Sequence, residues 1–250
     1  MLTLALIDIA NAPGHRGGPP YIDLPSGLPR WHGEWHSGTA DLKLNADGRL
    51  FHRGSEIPRD SYATLFATLS RENGAQQASY GRSGWELYKG GAISKLRLML
   101  YVDRNVRFAE VARVIRPACA AGIHVFAFPL KRGRVGMWLR GPRRGGDRVV
   151  DVHLEEAEGC ARVSVDSVPV DGREVGERIS AIAMLLDEDL SMRTRYRIED
   201  SVRIETVLAV LAASGLDTGP YEILEREADG EWVALRSIPQ PVGPSAGVPR

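Results

Sequence analysis

The feature that most constrains this chain is an internal repetition. Tyr101 to Ile115 reads YVDRNVRFAEVARVI, and Arg197 to Leu211 reads RIEDSVRIETVLAVL. Both run from an alternating strand through an acidic residue and a polar turn to Val-Arg and an apolar residue. Both then enter a helix with valines at the same offsets. The matched pairs Val106-Arg107 and Val202-Arg203 favour duplication over shared apolar periodicity alone. A repeated supersecondary unit dictates the fold class, so it is read before anything else.

Each half carries the same order of elements: strand, strand, helix, strand, helix, strand. In the first half, Asp41–Asn45 alternates with Leu42 and Leu44 on one face. Asp47-Gly48 supplies a turn and Arg49–Arg53 returns. A helix is expected from Ser61 to about Arg71 after a cap at Asp60. Residues 72–93, rich in Gly and Ser, read as irregular. A strand over 95–102 places Leu96, Leu98, Leu100 and Val102 on one face. A helix follows over 109–121, which Pro117 should kink or shorten. Gly122 stops it, and a strand over 123–128 ends the half.

In the second half the strands are 149–154 and 161–168, turning at Glu158-Gly159. They are followed by a helix over 174–186, a strand over 193–198, a helix over 204–213 and strands over 221–226 and 231–236. The expected fold is α+β: two tandem modules, each a small mostly antiparallel or mixed sheet with two helices on one face. The divisions are a linker over 1–20, a first module over 21–130, a basic linker or edge hairpin over 131–148, a second module over 149–238 and a disordered tail over 239–250.

Three segments of the first module resemble the periplasmic domain of the ExbD/TolR family. Ile22-Asp23-Leu24-Pro25 is similar to the family's V-x-LP strand. LKLNADGRLFHRGSEI over 42–57 is similar to its DG hairpin, with Asp47 and Gly48 at the turn. LMLYVDRNVRFAEVARVIRPACAAGIHVF over 98–126 is similar to its strand–helix stretch, with Asp103, Val106, Phe108, Val111 and Gly122 at matching places. The second module, from about Arg134 to Arg236, matches only weakly. The resemblance implies two tandem copies without the family's transmembrane helix. It further implies a non-enzymatic biopolymer transport accessory protein: a scaffold or force-transmitting part of an ion-driven inner-membrane motor, on the periplasmic side. ExbB/TolQ-type motor proteins or other envelope proteins would be the partners. Because family domains work in pairs, the two modules are expected to pair within one chain, giving a monomer in dilute solution.

The remaining chemistry is thin. Lys plus Arg (32) balances Asp plus Glu (32), so bulk charge does not point to nucleic acid or an acidic membrane. Lys131, Arg132, Arg134, Arg140, Arg143, Arg144 and Arg148 nonetheless cluster, and Arg140, Arg143 and Arg144 are the candidates for holding an anionic polymer or lipid surface, the alternative function. A solvated inter-module linker is the plainer reading of the same charges.

His32, Glu34 and His36 in WHGEWH have metal-ligand chemistry but lack the helical i, i+4 spacing that orients such ligands. Asp103 and Glu199, at strand ends before helices, read as turn or cap acceptors. Cys119 is expected buried and free, and with Cys160 it makes neither a disulfide framework nor a zinc site. No cofactor, metal, nucleic acid or small-molecule substrate is expected. No stretch reaches the roughly 20 apolar residues of a membrane span, and Met1–Ala10 lacks the marks of an export signal. On the sequence alone a cytosolic chain therefore stands beside a fragment lacking its leader.

Overall fold

The computed structural model describes residues 21–26, 39–79, 85–88, 91–139, 148–186, 192–214, 221–226 and 230–235. They form two mixed sheets with helices packed alongside. The first sheet contains β1 (Thr39–Leu44), β2 (Leu50–His52), β3 (Ser55–Ile57), β5 (Gly91–Val102), β6 (Ile123–Pro129) and β7 (Arg134–Trp138), in the order β3-β2-β1-β5-β6-β7. A short β4 (Trp85–Tyr88) pairs with β5 off this path. The second sheet contains β8 (Arg148–Ala157), β9 (Cys160–Val165), β10 (Val168–Val170), β11 (Met192–Ile198), β12 (Tyr221–Arg226) and β13 (Trp232–Ala234), in the order β10-β9-β8-β11-β12-β13. β4 apart, the two sheets have one topology.

The match extends to register. β1 pairs with β5 in parallel so that Leu44 lies opposite Val102, and β8 pairs with β11 so that Leu154 lies opposite Ile198. The Asp103 amide donates to the Leu44 carbonyl at 2.9 Å, and the Glu199 amide donates to Leu154 at 3.0 Å. The β2–β3 turn holds Arg53 (φ 50°) and Gly54 (φ 85°); the β9–β10 turn holds Asp166 (φ 49°) and Ser167 (φ 67°). Two-residue hairpin loops with both φ positive match the right-handed twist of the flanking strands. The duplication read from residues 101–115 and 197–211 thus runs through both halves.

In each sheet two central pairings are parallel and the rest antiparallel. Parallel neighbours need crossovers. Right-handed crossovers that step in the same direction across a sheet place their helices on one face. Hence α1 (Tyr62–Ser79) packs against α2 (Phe108–Ala120) and β5 in the first module, and α3 (Val175–Met184) packs against α4 (Ile204–Ala213) and β9 in the second. Between helices and sheets lie Leu42, Leu44, Leu98, Leu100, Phe66, Phe108 and Ile115 on one side, and Val150, Val152, Tyr196, Ile198 and Leu208 on the other. They belong to one continuous apolar core.

Several expectations need correction. Residues 72–79 are the last turns of α1, since Ala75, Gln76, Gln77 and Ala78 favour a helix enough to carry it past Gly74. β4 and the start of β5 take up more of the segment read as irregular. Arg134–Trp138 is the edge strand of the first sheet, paired with β6, and so belongs to the first module and not to the second. α2 continues through Pro117 to Ala120. Pro117 stands in the last turn, where its missing N–H costs one hydrogen bond while the Ala121 amide still closes on the Pro117 carbonyl at 3.0 Å. Cys119 is buried and Cys160 exposed, and neither is in a disulfide. Among the described residues no helix is long and apolar enough to cross a membrane.

Candidate functional site at the junction of the modules

An α-helix starts with backbone amides that have no partner inside the helix. Ser, Thr, Asp or Asn before the first turn usually satisfies one of them with a side-chain oxygen. Here the N-cap residues are Arg107 of α2 and Arg203 of α4, both extended and neither making a side-chain cap. The partners come from the opposite module. The Phe108 amide donates to the Val202 carbonyl at 2.8 Å, and the Ile204 amide donates to the Val106 carbonyl at 2.8 Å. Arg107 and Arg203 thereby form an isolated antiparallel bridge.

The two bonds are reciprocal between equivalent residues, so a pseudo-dyad passes between the two Val-Arg pairs. The Ala109 amide adds a bond to the Asp200 carbonyl at 3.3 Å. Around this backbone contact Val106, Val202, Phe108 and Ile204 are all buried. α2 touches α4, and α4 touches β7. Arg116 of α2 pairs with Glu225 of β12, whose carboxylate is buried. Asp200 beside the dyad has its carboxyl pKa raised, first by burial and then by neighbouring Glu199.

The segment over 21–26 lies against the same place. The Asp23 amide donates to the Asp103 Oδ2 at 3.0 Å, and the Arg104 amide donates to the Asp23 carbonyl at 2.8 Å. The Lys131 amide donates to the Pro25 carbonyl at 3.0 Å, and the Ser26 amide reaches Glu205 Oε1 on α4 at 3.1 Å.

The residues singled out in the sequence fall into three groups. Leu24, Pro25, Asp103, Val106 and Phe108 converge on this junction, with Pro25 buried. Asp103 acts as a turn acceptor, its Oδ1 taking the Asn105 amide at 3.0 Å. Asp47 and Gly48 stand apart at the β1–β2 turn. Gly48 has φ 73° there, over Glu110, which pairs with Arg59 at 2.8 Å and Arg113 at 2.6 Å. Gly122 ends α2 with φ 85°. Arg140, Arg143 and Arg144, and His32, Glu34 and His36, lie outside the described residues. Among the described residues no group of His, Cys, Asp and Glu is placed to hold a metal.

Glu199, the counterpart of Asp103, turns instead to Arg226 at 3.2 Å and His153 at 3.6 Å. The structural use of Arg107 and Arg203 is what reading the sequence missed. The signal was present in the Val-Arg pair matched between the two repeats, but an arginine is not a residue that marks a helix start. A second feature missed is Arg-Thr-Arg-Tyr-Arg over 193–197. It sets alternate arginines on the helix-free face of the second sheet, with Arg195 3.7 Å from Asp151 and 3.6 Å from Glu222. Comparison of the chain with protein-family models, curated proteins and solved structures found no match.

Proposed function

We propose that this chain is a non-enzymatic scaffold or force-transmitting protein of the ExbD/TolR type, in which two modules on one chain take the place of a pair of subunits. The observation that carries the reading is the reciprocal backbone bridge between Arg107 and Arg203. Each module completes the other's helix start, so the pair behaves as one mechanical unit. Shear between the modules loads two helix N-termini and an apolar seam together. By resemblance the site of action is the periplasmic side of an inner membrane, and the partner is an ExbB/TolQ-type motor protein. The test is purification of a tagged chain from detergent-solubilised envelopes of its native host. Co-elution with an ExbB/TolQ-type protein supports the reading. Recovery from the soluble cytosolic fraction without such a protein overturns it.

A second reading is favoured by the basic stretch over 131–148. An anionic polymer or lipid surface would pair with the Lys and Arg side chains of that stretch. Binding to heparin or anionic vesicles would weaken steeply with salt. Replacing Arg140, Arg143 and Arg144 together by Ala would remove most of it, and retention unchanged by that triple replacement sinks the idea.

A further inference from the structure

Among the described residues, the two repeats differ most tellingly at the acids around the dyad. Asp103 in the first repeat is replaced by Glu199 in the second, and Ala109 in the first by Glu205 in the second. Asp103 and Glu205 are the two carboxylates that receive amides from the segment over 21–26. One belongs to each module. The Arg104 guanidinium stands between Asp23 and Glu205, 3.7 Å from the first and 3.5 Å from the second, and Lys131 lies 2.9 Å from Asp23. Glu205 is in the first turn of α4, where the helix dipole favours a carboxylate. The dyad-related position has Ala109, so the seat for the segment exists on one side only.

We propose that residues 21–26 are a releasable clasp across the junction, whose docking tightens the pairing of the modules. The clasp ties the first module's strand-to-helix turn to the first turn of α4. Its side-chain contacts are partly exposed: Asp23 is 32% exposed, Arg104 38%, Lys131 47% and Glu205 30%. Partly exposed ion pairs are weak and screened by salt. The seam beneath is apolar and hydrogen-bonded through the backbone, and so holds without them. The clasp can therefore open while both modules stay folded, and its opening removes one of the links that oppose separation at the dyad. A load or a competing ligand on the segment preceding Tyr21 would act through it. The proposal does not rest on the motor reading, because any pull or ligand at that end has the same effect.

Amide exchange followed by NMR on the full chain tests this, comparing the wild type with Glu205→Ala and with Asp23→Asn, at low and high salt. Asp23→Asn is the milder variant, since it keeps the backbone bonds and removes only the charge facing Lys131 and Arg104. The expected result is faster exchange at Asp23, Ser26, Arg104 and Lys131. Exchange at Phe108 and Ile204 should quicken with it by about two- to fivefold, the size of one or two partly exposed charged contacts. Leu98 and Tyr196 in the sheets should be unaffected, and high salt should mimic the variants. Faster exchange of the clasp amides with no change at Phe108 and Ile204 overturns the coupling. Unchanged exchange throughout shows that the contacts hold nothing, and faster exchange at Leu98 and Tyr196 shows general destabilisation; either also overturns it.

Discussion

Ser167 sits at φ 67° in the β9–β10 turn, where its counterpart Gly54 in the first module holds φ 85°. A side chain at positive φ crowds its own backbone, and glycine avoids that cost. Ser167→Gly is expected to raise stability by about 0.5–1 kcal/mol, the relief being partly offset by the glycine's greater freedom when unfolded. Urea denaturation checks it, and a loss of stability would show that the hydroxyl is needed. His52 on β2 offers a pH test. Burial, and then the charge of Arg53, lower its pKa from 6.5. The unfolded chain then takes up the proton first as the solution is acidified. Stability is at its full value above pH 6.5, falls below it, and has lost the whole contribution once the pH passes the folded-state pKa. In His52→Gln this component of the slope below pH 6.5 is expected to vanish. Parallel wild-type and variant curves between pH 5 and 7 would exclude a role for the imidazole.

At the scale of elements, the start of each second helix is decided outside its own module. α2 and α4 have the amphipathic pattern to form, yet their N-caps are arginines whose side chains cap nothing. The missing acceptors are carbonyls of the other module, Val202 and Val106. The contact of α3 with α4 depends on a different feature. A methyl group added at Gly176 would run into the Ala213 carbonyl oxygen, a backbone atom that moves only with its helix. Gly176→Ala is therefore expected to cost about 1–3 kcal/mol, although alanine is the better helix former. Thermal unfolding measures this, and a higher midpoint would mean that α3 and α4 are less closely held than the structure has them.

For the whole molecule, the continuous core and the shared helix starts predict cooperative unfolding. A single calorimetric transition with equal calorimetric and van't Hoff enthalpies is expected. Two separated transitions would mean that the modules are independent. Because the dyad is already satisfied within the chain, light scattering should give a mass near 27.4 kDa at low micromolar concentration. A mass near twice that would show that modules pair between chains.

Sequence alone determined what depends on local period and turn chemistry. Leu96, Leu98, Leu100 and Val102 alternate, so they define a strand with one buried face. Val111, Val114, Ile115 and Ala118 recur at helical spacing, so they define a buried stripe. Asp47-Gly48 and Glu158-Gly159 announce hairpins, and the repeat of 101–115 in 197–211 announces two modules. Tertiary structure decided what depends on long-range partners. For 131–148 the sequence left a linker and an edge hairpin open, and Arg134–Trp138 is a strand because β6 offers an open edge. Residues 72–79 carry no strong stripe and are held as helix by continuation of α1. The meeting of Asp23 with Asp103, of Ser26 with Glu205 and of Arg107 with Arg203 joins residues far apart in the chain. Side-chain periodicity reports which face of an element is buried. It does not report what backbone lies across from a helix start, because every residue carries the same amide and carbonyl whatever its side chain.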